Sequence, residues 1–304
     1  MLPSQIHVLE RGWLSCNSVL LTGSDGTALI DSGYGAHAPQ TAALVAHVLA
    51  GERLARLVNT HCHSDHMGGN RALEEAHGCR VTIPAGEAPL IDAWDEQALV
   101  LSFADQRAER FHYHDTLAPG DVIRLGEIDW QVLAAPGHDL HAVMFYSPDE
   151  RILISGDALW EDGFGVIVPA LFDRLEAFEE TRVTLESIAR RDVRTVIPGH
   201  GHVFTDVSHA LDRAFGRLES YEEDLLRLAR HCAKVMIVFV LLERRRMAVA
   251  DLPRYVSDVA LLRALNARYL GMTPEALAEW LVADLARAGA VRVEHGHLLP
   301  LVRA

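Results

Sequence analysis

The sequence predicts an α/β protein in which helix-covered sheets are followed by a mainly helical C-terminal module. Three observations predict it. Short β-type runs alternate with helical stretches up to about residue 215, and the pattern turns almost wholly helical afterwards. Metal-ligand residues also recur just past the ends of the β-type runs.

The runs "TALID" (27–31), "RLVNT" (56–60), "DWQVLAA" (129–135), "AVMFY" (142–146), "RILIS" (151–155) and "RTVIP" (194–198) read as strands. Each is brief, rich in Val, Ile or Leu, and bounded by Gly, Pro or Asp. "SPDE" (147–150) is turn chemistry and should close an antiparallel hairpin. "TAALVAHVLAG" (41–51) places Leu44, Val45, Val48 and Leu49 on one helical face and stops at Gly51. "NRALEEAHG" (70–78) repeats that design. Residues 92–118 break the rhythm and suggest a helix plus an edge segment laid over one face.

Beyond residue 215, helices are expected over 221–246, 258–271 and 273–289. The last opens with a Thr cap and a Pro at the first helical position, and Leu277, Trp280, Leu281 and Leu285 share one face. "AVRVEHGHLLPLV" (290–302) reads as a hairpin turning at Gly296. Helices followed by a hairpin resemble a winged helix. The chain therefore divides into a catalytic domain, 1–215, and a helical, winged-helix-like domain, 216–304.

Composition removes several function classes. Forty-two acidic against 28 basic residues give a net charge of −14, which repels phosphate backbones and argues against nucleic acid as a partner. For the C-terminal module this favours packing or homodimer formation over DNA binding. The longest apolar run, Val235 to Leu242, is far short of the roughly 20 residues of a membrane span. The N-terminus lacks the layout of a signal peptide. Four scattered cysteines form neither a CxxC pair nor a disulfide framework, so a reduced, cytoplasmic setting is expected.

The chemistry lies where strands end. "LVNT" leads to "HCHSDH", "VLAAPG" to His138, "LISG" to Asp157 and "VIPG" to His200. Strand ends on one edge of a sheet stack side by side, so these loops can converge. Five His and two Asp suffice for two metal ions sharing one carboxylate. With 17 histidines in the chain a lone one carries little meaning; the repeated placement carries the argument. Side chains of an extended segment alternate, so His61 and His63 point together and Cys62 points away. The chain must turn at Ser64 before Asp65 and His66 reach a neighbouring ion, and Gly68 and Gly69 relieve crowding before the next helix. Mixed imidazole and carboxylate ligands favour zinc, with iron or manganese as alternatives.

"THCHSDH", "APGHD", "LISGDAL" and "VIPGHG" together resemble the ordered motif set of the metallo-β-lactamase superfamily, over roughly residues 1–215. The "LIDSG" element with Asp31 and an upstream Asn17 in "CNSVLL" also occur. The resemblance implies an αββα sandwich with metals at one edge of the two sheets. It implies one metal on His61, His63 and His138, a second on Asp65, His66 and His200, and Asp157 bridging. A bridging hydroxide would then attack a carbonyl, Asp65 orienting it as the catalytic carboxylate, and Asp31 would fix a ligand imidazole or cap the nearby loop.

Departures from family patterns narrow the substrate. The best-known true β-lactamases carry Cys where this chain has Asp157, and flavodiiron reductases carry a carboxylate where it has His63. What remains resembles the glyoxalase II-like group, which implies a small-molecule acyl substrate: a thioester, lactone or related ester. Trp160, Phe164 and Val166 follow the bridging aspartate and are candidates for an acyl-binding wall. His141, Tyr34, His37, His112 and Tyr113 lie in loops near the same edge, and Arg244, Arg245 and Arg246 are candidate anchors for an anionic leaving group. Two other readings stay open: a metal-dependent RNA or phosphodiester hydrolase, and a regulator that binds a small acyl ligand with weak turnover.

Overall fold

A computed structural model describes residues 2–302. One sheet contains β1 (Ile6–Leu9), β2 (Ser18–Leu21), β3 (Ala28–Ile30), β4 (Arg56–Val58), β5 (Arg80–Pro84) and β6 (Asp115–Leu117), in that spatial order. β1 to β3 are antiparallel, and β3 to β6 run parallel. The second sheet contains β7 (Val122–Leu125), β8 (Ile128–Ala134), β9 (Val143–Ser147) and β10 (Ile152–Gly156) in antiparallel succession, with β11 (Thr195–Pro198) parallel to β10. Two antiparallel steps separate β8 from β10, so β8, β10 and β11 all point the same way. Their carboxyl ends therefore share one edge, and that edge carries the site.

The inner faces of the sheets meet over Ile30, Val58, Trp130, Val132, Phe145 and Ile154. Trp130 is fully buried and donates its indole N–H to the Leu125 carbonyl at 3.2 Å, so its one polar atom is satisfied. Helices α1 (Ala38–Leu49), α2 (Ser64–Met67), α3 (Asn70–His77) and α4 (Ala88–Ala93) belong to the first sheet's side, where Val45, Leu49 and Leu73 pack with Leu29 and Leu57. Helices α5 (Glu176–Ala189) and α6 (Val207–Glu223) cover the second sheet.

All six strand runs read from the sequence form strands, and Ser147 pairs with Ile152 across the "SPDE" turn. β1, β2, β5 and β7 lie outside those runs. β2 is buried at all four positions and so lacks the alternation that marks a half-buried strand. Residues 92–118 supply the edge segment as β6, but the expected helix does not form there. Trp94, Val100 and Asp105 adopt φ of 50°, 60° and 55°, which ends each helical start after about one turn.

The C-terminal region comprises α7 (Leu225–Arg244), α8 (Leu252–Asp258), α9 (Ala260–Leu265) and α10 (Pro274–Arg287). β12 (Met247–Ala248), β13 (Val291–Glu294) and β14 (His297–Pro300) form a small sheet in which β14 is central. Thr273 caps α10 by accepting from the Ala276 N–H, and the hairpin turns at His295 and Gly296, both at positive φ. The expected helix over 221–246 is divided at Asp224, whose side chain accepts from the Arg227 N–H and starts α7 afresh. Helix α6 runs through residue 215 unbroken. One apolar cluster extends from Met144, Leu153 and Val196 of the second sheet through Leu185 and Leu218 to Ile237, Leu262, Leu281 and Leu298. Among the described residues no helix is long and apolar enough to cross a membrane.

His231 on α7 is stacked on Tyr221, and burial, helped by Arg217 and Lys234, pushes its imidazole down to about 4. An unfolded chain protonates this group near its ordinary value of about 6.5, so the unfolded state binds more protons between pH 6.5 and 4. Stability should therefore fall on acidification through that window, by on the order of 2 kcal/mol from this residue after allowing for its partial exposure. Urea unfolding curves of the wild type and His231→Phe should converge as pH drops from 6.5 to 4; parallel curves would refute the assignment.

Candidate metal centre

Each predicted ligand residue sits just past a strand's carboxyl end. β4 runs into Asn59 and Thr60, and Asn59 Nδ2 donates to the His66 carbonyl at 3.0 Å, folding the "HCHSDH" segment back on itself. α2 then carries Asp65 and His66. A Cβ at Gly68 or Gly69 would overlap the backbone of Gly35 and Ser32, so both glycines are needed for that close passage. β8 delivers His138, β10 delivers Asp157, and β11 delivers His200. Asn17 braces the last loop by donating to the carbonyls of Pro198 and Gly201.

The seven predicted ligands fall into overlapping groups whose ligand atoms lie within 4.8 Å of one another: His61, His63 and His138; His61, His66 and Asp157; Asp65, His66 and His200. Hydrogen bonds define which ring nitrogens are free. Thr60 donates its hydroxyl to Asp31 at 2.8 Å, so its oxygen accepts from His61 Nδ1–H at 3.0 Å and leaves His61 Nε2 as a lone pair. His138 Nδ1–H donates to the Val166 carbonyl at 2.7 Å, freeing His138 Nε2. His66 Nδ1–H donates to Asp31 at 2.9 Å, freeing His66 Nε2. His63 Nδ1 faces His138 Nε2 at 2.9 Å, and Asp139 stands 3.7 Å from His63 Nε2.

This arrangement is consistent with bound metal ions. His61 Nε2 and His66 Nε2 are buried with no hydrogen-bond partner, which is costly unless a cation receives the lone pairs. Asp157 spans the two halves: one oxygen lies 3.4 Å from His138 Nε2, the other 3.3 Å from His66 Nε2 and 3.9 Å from His200 Nε2. Asp65 reaches His200 Nε2 at 3.1 Å. The buried His/Asp clusters thus have the form of a dinuclear metal site.

Electrostatics follow the same division. Burial pushes His61 well below its ordinary value and His63 down to about 4, so both rings are neutral and fit to coordinate. Burial also opposes charge on His66, but the anionic groups around it, Asp157, Asp31 and Asp65 among them, outweigh that and favour its imidazolium in the metal-free chain. Against its own burial, Asp157 is held well below the carboxylate range by His66 and His200. This surplus of negative charge beside His66 is what divalent cations would neutralise.

Asp31 makes hydrogen bonds that fit both roles offered for it. It accepts from the Thr60 N–H and hydroxyl, which fixes the loop, and from His66, which fixes the ring of a predicted ligand. Cys62 turns away from the ligands into the apolar cluster with Leu20 and Leu29, and burial pushes its thiol far above the ordinary range. Cys62→Ser should retain the full metal content while losing about 1–2 kcal/mol of stability for a buried hydroxyl. Metal analysis beside a melting curve checks this, and loss of metal would overturn it.

Sequence reasoning missed three neighbours of the site. Cys16 is buried beside Asp31 and His66, and its only sequence signal is that it adjoins Asn17. Asp139 follows His138 directly. Trp13 is 45 % exposed yet stacks parallel on the His200 ring at 5.5 Å. Trp160 meets both Trp13 and His200 edge-on and donates its indole N–H to Asp157 at 3.3 Å. Phe164 is buried, whereas Tyr34 packs on Phe239 of α7 and so links the site loops to the helical module. His112 and Tyr113 line a separate hollow with Arg110 and Phe111. Arg244 is engaged by Asp105 at 2.6 Å, while Arg245 lines a cavity of about 540 Å³ with His37 and Arg292.

Residues 11–200 match the family model of the metallo-beta-lactamase superfamily, and the chain belongs to that superfamily. A hydroxyacylglutathione hydrolase of Methylococcus capsulatus is 34 % identical over 165 residues, which cover 53 % of this chain and 54 % of that protein. The chain thus matches only about half the length of this relative. A metallo-beta-lactamase family protein from Thermus thermophilus shares the fold over 99 % of this chain and all of its own, with a TM-score of 0.59 and 21 % identity. A further solved structure, of a protein in a di-iron-bound form, covers 68 % of this chain and 98 % of its own, with a TM-score of 0.51 and 25 % identity.

Proposed function

We propose that the protein is a metal-dependent hydrolase of acyl thioesters or related esters, holding two divalent ions, zinc foremost. The observation that carries this reading is the convergence of the freed His61, His63 and His138 nitrogens on one side of Asp157, with His66, Asp65 and His200 on the other. Ions bound there would supply a nucleophile by lowering the pKa of water to about 7 and would polarise a carbonyl. Asp65 has the most exposed side chain among the carboxylates of the cluster, at 15 % against 7 % for the Asp157 side chain and 3 % for that of Asp31. That exposure supports assigning to it the orienting of water and the receipt of its proton. Trp13 and Trp160 form an aromatic wall beside His200 that would seat the acyl group and exclude water.

The thioester class is supported by the likeness to a hydroxyacylglutathione hydrolase, and by the cavity in which His37, Arg245 and Arg292 could meet an anionic leaving group. His37 Nδ1 lies 2.9 Å from the Ser15 hydroxyl, and the next residue, Cys16, donates its N–H to the Asp65 carbonyl at 3.1 Å. Four free, buried cysteines fit work in a reducing, cytoplasmic setting. The test is a panel of a hydroxyacylglutathione, other acyl thioesters, lactones and phosphodiesters, offered to zinc-loaded protein and to Asp65→Ala. Cleavage of thioesters or esters that Asp65→Ala loses supports the reading. Phosphodiester cleavage alone, or no turnover at all, overturns it.

A further inference from the structure

Helix α2 is four residues long, too short to keep its direction without ties to its surroundings. Neighbouring loops hold its carboxyl half. The Asp65 carbonyl accepts from the Cys16 N–H at 3.1 Å, and the His66 carbonyl accepts from the Ser32 N–H at 2.8 Å and from Asn59 Nδ2 at 3.0 Å. The amino end depends on Ser64, which stands between His63 and Asp65 in the chain and is fully buried. Its hydroxyl donates to Gln106 Oε1 at 2.6 Å, its one side-chain partner among the described residues.

Gln106 follows the single turn Ser102–Ala104, so its place is set by what flanks that turn. Leu101 is buried with the helices of the first sheet, whereas Ala104 is buried in the cluster that the second sheet shares with the C-terminal helices. Phe103 meets Phe172 edge-on at 5.5 Å. Asp105 turns the chain at φ 55°, and its Oδ2 accepts from Arg244 at 2.6 Å and from the Tyr255 hydroxyl at 3.1 Å. Arg244 ends α7 and Tyr255 lies on α8; the guanidinium also stands over the Tyr255 ring, 5.1 Å from its centre. A charge-assisted bond backed by a second donor anchors Asp105 firmly, and the residue after it is the one that meets Ser64.

We propose that Gln106 is a positioning residue for the metal centre, held in place by the C-terminal module: Arg244 and Tyr255 fix Asp105, and Asp105 sets Gln106 against Ser64 at the start of the helix that carries Asp65 and His66. Without the acceptor, the buried Ser64 hydroxyl is unpaired and the amino end of α2 is free to turn, which moves His63 before it and Asp65 after it. The helical module then has a role besides packing, because it fixes the geometry of a site to which it supplies no ligand. The inference rests on the His/Asp cluster being a metal centre and needs nothing of the substrate.

The test uses the full chain and zinc alone, titrated against a chromophoric chelator, with cobalt as a spectroscopic reporter. Gln106→Met keeps the length of the side chain and removes the acceptor. It should weaken at least one of the two zinc ions by about ten-fold and alter the cobalt absorption. Arg244→Met touches no predicted ligand, yet it should weaken zinc binding by about three- to ten-fold, and the double variant should lose no more than Gln106→Met alone. Should circular dichroism show that either variant misfolds, Ser64→Ala replaces Gln106→Met and Tyr255→Phe replaces Arg244→Met, each deleting a single hydroxyl. A single variant with wild-type affinity and spectrum would overturn the proposal, whatever its melting temperature, as would losses that multiply in the double variant. Wild-type protein that binds no zinc would overturn the metal-dependent reading as well, so the two failures are told apart.

Discussion

Asp157→Ala should fold, hold fewer than two divalent ions per chain, and lose turnover by about a thousand-fold or more. The expectation follows from its position. Among the described residues it is the one side chain that offers an oxygen to each half of the site, 3.4 Å from His138 Nε2 and 3.3 Å from His66 Nε2. Without it, two cations would face each other with no shared anion, and the Trp160 indole would lose its acceptor. Retained folding is expected because the inner and outer apolar clusters do not include this residue. Metal analysis together with kcat on the best substrate of the panel measures both effects. An alanine variant with two ions and wild-type turnover would rule out the bridging role.

Asp31→Ala should carry the largest stability cost of any single change at the site. Asp31 is 2 % exposed and accepts from the Thr60 N–H, the Thr60 hydroxyl and His66 Nδ1–H. Its removal strands three buried donors, at a cost of about 3–5 kcal/mol. Because Thr60 also orients His61, the loss should propagate to both halves and weaken metal binding by about ten- to a hundred-fold. The residue sits at φ 59°, where Asp and Asn are tolerated better than other side chains. Asp31→Asn therefore separates the electrostatic loss from backbone strain, and it should fall between alanine and wild type. Urea unfolding with and without zinc reads the two effects separately; a metal-free Asp31→Ala as stable as wild type would contradict this role.

Much of this was legible in the chain itself. The strand runs could be read because each has a compact apolar core and a Gly, Pro or Asp boundary, and the ligand residues because they follow those boundaries directly. The orientation of Cys62 followed from alternation alone. The helix expected within 92–118 did not form, because the positive φ at Trp94, Val100 and Asp105 reflects packing of that segment over the sheet, which no local propensity reports.

The sequence by itself determined the kinds of donor atom available, their order, and their placement after strands, since those depend on residue type and local periodicity. Only the tertiary structure decided which nitrogen of His61, His66 and His138 is free, because that depends on Asp31 and Val166 arriving from other segments. It alone brought Trp13 against His200, across a separation of 187 positions. Contacts of that range leave no trace in local pattern; they exist because two sheets converge at one edge and enclose what lies between them.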